Sequence, residues 1–65
     1  MKKIYRVYFN PYSTTDYAKF QCDNKTQARE DAELYRRQWD VKERIVRIVE
    51  ETEENKEKLD KGIFE

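Results

Sequence analysis

The sequence has no histidine, and only one cysteine, one glycine and one proline among its 65 residues. Each absence removes a class of chemistry. Without histidine there is no side chain whose ordinary pKa lies near neutrality, so Ser13 and Cys22 have no imidazole to activate them. One cysteine cannot close an internal disulfide, and one cysteine without histidine gives no zinc constellation. A single glycine, Gly62, rules out a phosphate-cradling glycine loop and leaves no calcium loop with a central glycine. The longest apolar runs, around Val7-Tyr8-Phe9 and Ile45-Val46, are far too short for a membrane span or a signal-peptide core. A lone thiol fits a reducing compartment, and the expected location is cytoplasmic. No cofactor, metal or membrane partner is expected.

What is present is charge and rings. Charged residues make up 43% of the chain and aromatics 14%, enough large side chains for a small core in a very polar protein. Fourteen basic groups balance fourteen acidic ones, so no overall field draws the protein to nucleic acid or an anionic membrane. The balance conceals a split. Residues 1 to 47 carry eleven basic and seven acidic groups, a net of +4, whereas residues 48 to 65 carry three and seven, a net of −4. A domain of this size buries only about 60% of the surface of its unfolded chain. With no disulfide and no metal, a second subunit or a partner is the remaining support.

Three strands and one helix are expected. Lys2 to Asn10 is rich in β-branched and aromatic residues and stops at the turn-forming Asn10-Pro11. Asp16 to Cys22 alternates, with Ala18, Phe20 and Cys22 on one side and Tyr17, Lys19 and Gln21 on the other. The short link makes an antiparallel hairpin their natural pairing, because parallel pairing would need a dozen or more residues of crossover. Asn24 is a good N-cap, with Gln27 three residues on, for a helix over Lys25 to Trp39. At 100° per residue, Ala28, Ala32, Tyr35 and Trp39 share one stripe. The indole of Trp39 is expected to close one end of the core, so that Trp39→Ala costs about 3 kcal/mol or more. Val41 to Glu51 reads as a third strand, apolar on both faces, with either Ile45, Arg47 and Val49 or Arg44, Val46 and Ile48 turned from the helix. Thr52 to Lys61 is almost wholly charged, either a short solvated helix ended by Gly62 or a frayed extension. Ile63 and Phe64 then return as an apolar pair, placed to dock on the domain or on a neighbour.

The fold class is therefore α+β, a single domain over 1–65. Its three-stranded antiparallel or mixed sheet carries one helix on one face (β-β-α-β), followed by an acidic C-terminal segment over 52–65. The reverse face of the sheet has no second helix to cover it. Ile4, Arg6 and Tyr8 of strand one and Tyr17 and Lys19 of strand two would share that face, a mixture of rings, aliphatics and cations larger than monomers usually leave wet. The competing reading is that Leu59, Ile63 and Phe64 fold over it.

This pattern points to a non-catalytic protein-interaction module, acting through the reverse face and through acidic residues such as Glu50, Glu51, Glu53 and Glu54. Its partner would be another protein or a second copy, as in a homodimeric structural module. Compact, charged, cysteine-poor domains of this kind occur among phage and mobile-element proteins, including inhibitors of nucleic-acid-handling host proteins, a likeness of size and composition only. Rings interleaved with cations on a sheet also describe single-stranded nucleic-acid binders, although no ribonucleoprotein-type motif or basic stripe is present. Catalysis is not expected. Asp16, Asp23, Glu30, Asp31 and Glu33 could pair, but so small a core offers no deep pocket to shift their pKa values.

Overall fold

The computed structural model describes residues 2–64; the domain limits 1 and 65 and the last residue of the acidic segment fall just outside that span. Three strands, β1 (Lys3–Tyr8), β2 (Ala18–Cys22) and β3 (Arg47–Glu51), form one sheet with order β2-β1-β3. Both pairings are antiparallel, Tyr5 standing opposite Phe20 on one side and Glu50 on the other. The main helix α1 (Lys25–Gln38) links β2 to β3 across one face, and a short helix α2 (Lys56–Asp60) follows β3. This is the α+β architecture, with an all-antiparallel sheet.

The core lies between sheet and α1. Alternation sends Tyr5 and Val7 of β1, Cys22 of β2 and Ile48 of β3 toward Ala28 and Ala32, with Phe9, Phe20 and Ile45 packed around them. The two alanines are fully buried, and their small side chains let α1 approach the sheet closely. Asn24 starts the helix as expected, its Oδ1 accepting from the Gln27 amide at 2.8 Å. Toward the other end rings take the place of the alanines. Tyr35 stacks on Phe9 and meets Phe20 edge-on, with centroids 5.8 Å apart in both pairs.

Two expectations fail at that end. Trp39 does not close the core; it is the C-cap of α1, 65% exposed, because the helix leaves its regular dihedrals there and Tyr35 already fills the space above the sheet. The third strand is also shorter, beginning at Arg47 and not Val41. Residues 41 to 46 instead form the return from α1. The Val41 amide donates to the Arg36 carbonyl at 2.9 Å, and Arg36 Nε donates to the Glu43 carbonyl at 2.7 Å.

The reverse face is not bare. The C-terminal segment crosses it, which corrects the expectation of an uncovered sheet. Thr52 and Asn55 hold its start reciprocally: the Thr52 amide donates to Asn55 Oδ1 at 2.7 Å and the Asn55 amide to Thr52 Oγ1 at 3.2 Å. Asn55 Nδ2 also donates to the Glu50 carbonyl at 2.7 Å, fixing the turn to β3. The reciprocal pair has the pattern of a capping box, with asparagine in the place usually held by Glu or Gln, in the turn that leads into α2. At the far end Gly62 has φ 78°, and the Ile63 amide reaches the Lys58 carbonyl while that of Gly62 reaches Leu59. The pair of bonds is a Schellman stop, as the glycine foretold. A Cβ at Gly62 would collide with Thr14 Oγ1 of the β1–β2 loop, so the backbone there lies directly against that loop.

Candidate functional site

The residues singled out on the reverse face come together, but beneath the tail. Arg6 is 1% exposed and Tyr8 is 2% exposed. Arg6 Nε donates to Glu51 Oε1 at 2.6 Å and Nη2 to Asp60 Oδ1 at 2.7 Å, while the guanidinium carbon sits 4.2 Å from the Tyr17 ring centroid. Burial works against the Arg6 charge, yet the hydrogen bonds it donates to Asp60 and Glu51 outweigh it and hold the guanidinium more firmly protonated than usual. The same contest at Glu51 ends with its carboxyl below the usual range: burial opposes ionisation, and the hydrogen bond and charge of Arg6, helped by Lys19, prevail. Tyr8 meets Phe64 edge-on at 5.0 Å and Tyr17 at 5.6 Å, and Leu59 of α2 is buried.

Arg6 and Tyr8 are therefore interior groups, not contact residues. Their face is closed because Leu59, Phe64 and the carboxylates of Glu51 and Asp60 cover it from within the chain. Around the closed centre, Ile4 is half-buried, Tyr17 is exposed at one side, and Lys19 Nζ lies 3.6 Å from Glu51 Oε1. Of the four acidic residues, Glu51 is spent on Arg6, and Glu50 lies 3.7 Å from Lys3 Nζ. Glu53 and Glu54 remain exposed. The acidic stretch is thus not one continuous negative surface.

The open feature lies beside α2. A groove of about 540 Å3 runs along the outer part of the reverse face, with Arg47 and Val49 of β3 on its floor and Asn55, Leu59, Ile63 and Phe64 along its wall. The Arg47 guanidinium stands 3.9 Å above the Phe64 ring at one end. Ile63 is exposed above the floor, and Val46 at the entry to β3 is exposed as well. Sequence reasoning offered Val49 only as one of two registers, and held Ile63 and Phe64 as a terminal pair with two open destinations. Their return after a ten-residue, largely charged stretch was the available signal. A second groove, about 610 Å3 at the start of β1 and end of β3, is lined by groups of both signs, Lys2, Lys3 and Lys56 with Glu50, Glu51 and Glu53.

The groups with chemical potential elsewhere are occupied structurally. Cys22 Sγ is buried and donates to the Asn24 carbonyl at 3.4 Å, and burial followed by the Asp31 charge pushes its pKa up. Ser13 Oγ accepts from the amides of Thr15 and Asp16, holding the β1–β2 loop. Among the described residues no group of three or more His, Cys, Asp or Glu is placed to hold a metal, and no helix is long and apolar enough to cross a membrane. Compared with known protein families, with curated proteins and with solved structures, the chain matches none.

Proposed function

We propose that the protein is a non-catalytic protein-interaction module of the cytoplasm, and that its contact surface is the outer edge of β3 with the adjoining groove. The observation that carries this reading is the position of β3: an outer strand, paired on one side to β1, with no strand on its other side among the described residues and a groove next to it that Val49, Leu59, Ile63 and Phe64 help to line. An unpaired strand edge offers a row of backbone donors and acceptors to an extended segment, and alternate side-chain pockets give such pairing its specificity. The floor residue Val49 and the wall residues Ile63 and Phe64 supply that pocket. The lack of histidine, the buried thiol of Cys22 and the engaged hydroxyl of Ser13 support a role without catalysis. The free thiol supports a reducing location.

Affinity capture from the source cells tests the reading, comparing wild type with Val49→Lys, which puts a charge on the groove floor, and with Trp39→Ala, which changes an exposed ring elsewhere. Capture, whether of another protein or of untagged copies of this one, is expected to survive Trp39→Ala and to be lost with Val49→Lys. If both variants and wild type capture the same set, β3 and its groove are not the contact surface.

A further inference from the structure

The β3 groove gives no role to the outer surface of α1 or to the exposed indole at its end. We propose that the flank of α1 turned toward β3, with Trp39 at its end, is a second and separate contact surface that binds single-stranded nucleic acid, its cations on backbone phosphates and the indole on a base.

The helix sorts charges that the linear sequence mixes. Counted at about 100° per residue from buried Ala28, Lys25, Arg29 and Arg36 fall on one flank at about 60° to 100°. Gln27, Asp31 and Gln38 fall at about the same angles on the other flank. Contacts fix which flank is which. Gln27 and Asp31 line a hollow with Gln21 and Cys22 of β2, whereas Arg36 Nε donates to the Glu43 carbonyl in the return to β3. That return passes beside the end of α1, held also by the Val41 amide on the Arg36 carbonyl, and it brings Lys42 and Arg44 to the basic flank. The stripe missing from the sequence is thus made by the fold.

Most of its charge is unspent. Arg36 is paired with Glu33 at 2.9 Å. Lys25, Arg29, Lys42 and Arg44 are exposed, and among the described residues their side chains enter no ion pair or hydrogen bond. Five cations stand against three carboxylates, those of Glu33, Asp40 and Glu43. The rise of about 1.5 Å per residue sets Lys25 about 16 Å from Arg36 along the axis, with Trp39 just beyond.

Trp39 decides among anionic partners. Its ring is 65% exposed and is braced on one side by Tyr35, at 6.5 Å. A bare ring at the end of a row of cations is the arrangement that takes a base and its neighbouring phosphates. A carboxylate-rich peptide would use the cations and leave the ring idle, and a membrane surface would need an apolar stripe where Lys25, Arg29 and Glu33 stand. The neutral net charge keeps the attraction local, so the expected affinity is weak, with a dissociation constant of about 10 to 100 μM at low salt. With about three or four phosphates engaged, log K is expected to fall with log salt at a slope of about −2 to −3.

Fluorescence anisotropy of labelled oligo(dT) and oligo(U), about 12 nucleotides long, at about 50 mM salt tests this, the tighter of the two naming DNA or RNA as the source. The protein has one tryptophan, so its emission reports Trp39 alone and is expected to be quenched in step with the anisotropy. Arg29→Glu is expected to weaken binding at least about fivefold, and Lys56→Glu, the same charge change at the exposed start of α2, less than about twofold. Trp39→Ala is expected to weaken it at least about fivefold. Wild-type protein that binds neither oligonucleotide at about 200 μM overturns the proposal, as do equal losses with Arg29→Glu and Lys56→Glu. So does binding that leaves the Trp39 emission unchanged and is matched by polyglutamate of equal charge, which would assign the stripe to an acidic protein segment. None of these results bears on the β3 groove, which the Val49→Lys capture tests by itself.

Discussion

Arg6 of the central strand and Glu51 at the end of β3 form an ion pair 2.6 Å long, with the guanidinium 1% and the carboxylate 8% exposed. The pair joins the sheet to the segment that covers it, because the same guanidinium binds Asp60 of α2. Desolvation consumes much of what such a pair gains by attraction, but removing one partner strands the other charge in the interior. Glu51→Ala is therefore expected to cost about 3 kcal/mol or more, comparable with the whole stability of a domain this small. Asp60→Ala is expected to cost under about 1 kcal/mol, since that carboxylate is more than half exposed and water replaces it. Urea denaturation of the two variants measures the difference; equal losses would mean that the Arg6–Glu51 contact has no special weight.

The same pair sets the acid limit of the fold. The Glu51 carboxyl titrates lower in the folded protein than in the unfolded chain, for although burial opposes its ionisation, Arg6 overcomes that effect. Between the two pKa values the unfolded chain binds more protons, so stability rises with pH there. The contribution is complete above the unfolded value of about 4.3 and is lost as pH falls through the lower folded value. Urea midpoints are expected to be flat from neutrality to about pH 5 and to fall below about pH 4. Glu51→Gln is expected to be less stable at neutrality and to fall less steeply in acid. A Gln variant with a wild-type slope would assign the acid sensitivity to other carboxylates.

Leu59 is the anchor of the tail. It is 3% exposed in a helix of only five residues, far below the length at which a helix holds itself in water. Its burial, the Thr52–Asn55 turn before it and the Gly62 stop after it keep α2 in place. Leu59→Ala is expected to cost about 2 to 5 kcal/mol, a fall in Tm of at least about 10 °C for a chain of this size. Hydrogen exchange gives the more specific measurement. Amides of the α2 turn should lose protection at once, and a variant that keeps both Tm and protection would show that the tail is not part of the cooperative fold.

Why half of this was legible and half was not follows from range. Alternation in Ala18, Phe20 and Cys22, the spacing of Ala28 and Ala32, the Asn24 cap and the Gly62 stop are local patterns, and each is found where the pattern puts it. The cover over the reverse face is not local. Arg6 and Glu51 lie 45 positions apart, and a carboxylate destined for a buried cation has the same appearance in a charged run as one destined for solvent. Leu59 stands alone among charged neighbours, so no periodicity marks the face it buries. Both readings of the tail were open, and the decision rested on a pairing that only the folded chain displays. The site shared this fate: Val49 could be placed on either face until the register of β3 fixed it.

Trp39 shows the opposite error, a local pattern carried one residue too far. The 14 residues of α1 span about 20 Å, as do the six of β1, so a ring one position beyond the helix has already passed the sheet. With its indole 65% exposed, Trp39→Ala is expected to cost under about 1 kcal/mol, mostly through the contact with Tyr35. A thermal melt reads this directly. A loss near 3 kcal/mol would restore Trp39 to the core and require a different packing at the end of α1.

Two residues share one backbone conformation and have opposite fitness for it. Asp40 follows the C-cap of α1 with φ 52°, and Gly62 follows that of α2 with φ 78°. Left-handed backbone strains any residue with a Cβ, and a carboxylate at a helix C-terminus also faces the negative end of the helix dipole. Asp40→Gly is expected to raise stability by about 0.5 to 1 kcal/mol despite the greater freedom glycine gives the unfolded chain. Asp40→Asn separates the two causes, because asparagine tolerates this conformation about as well as aspartate but carries no charge, so its gain measures the dipole alone. Gly62→Ala, by contrast, combines the strained φ with a collision against Thr14 and is expected to lose more than about 1 kcal/mol. Thermal melts of the three variants should rank Asp40→Gly above wild type and Gly62→Ala below it; an Asp40→Gly protein no more stable than wild type would mean that Asp40 makes a compensating contact in this turn.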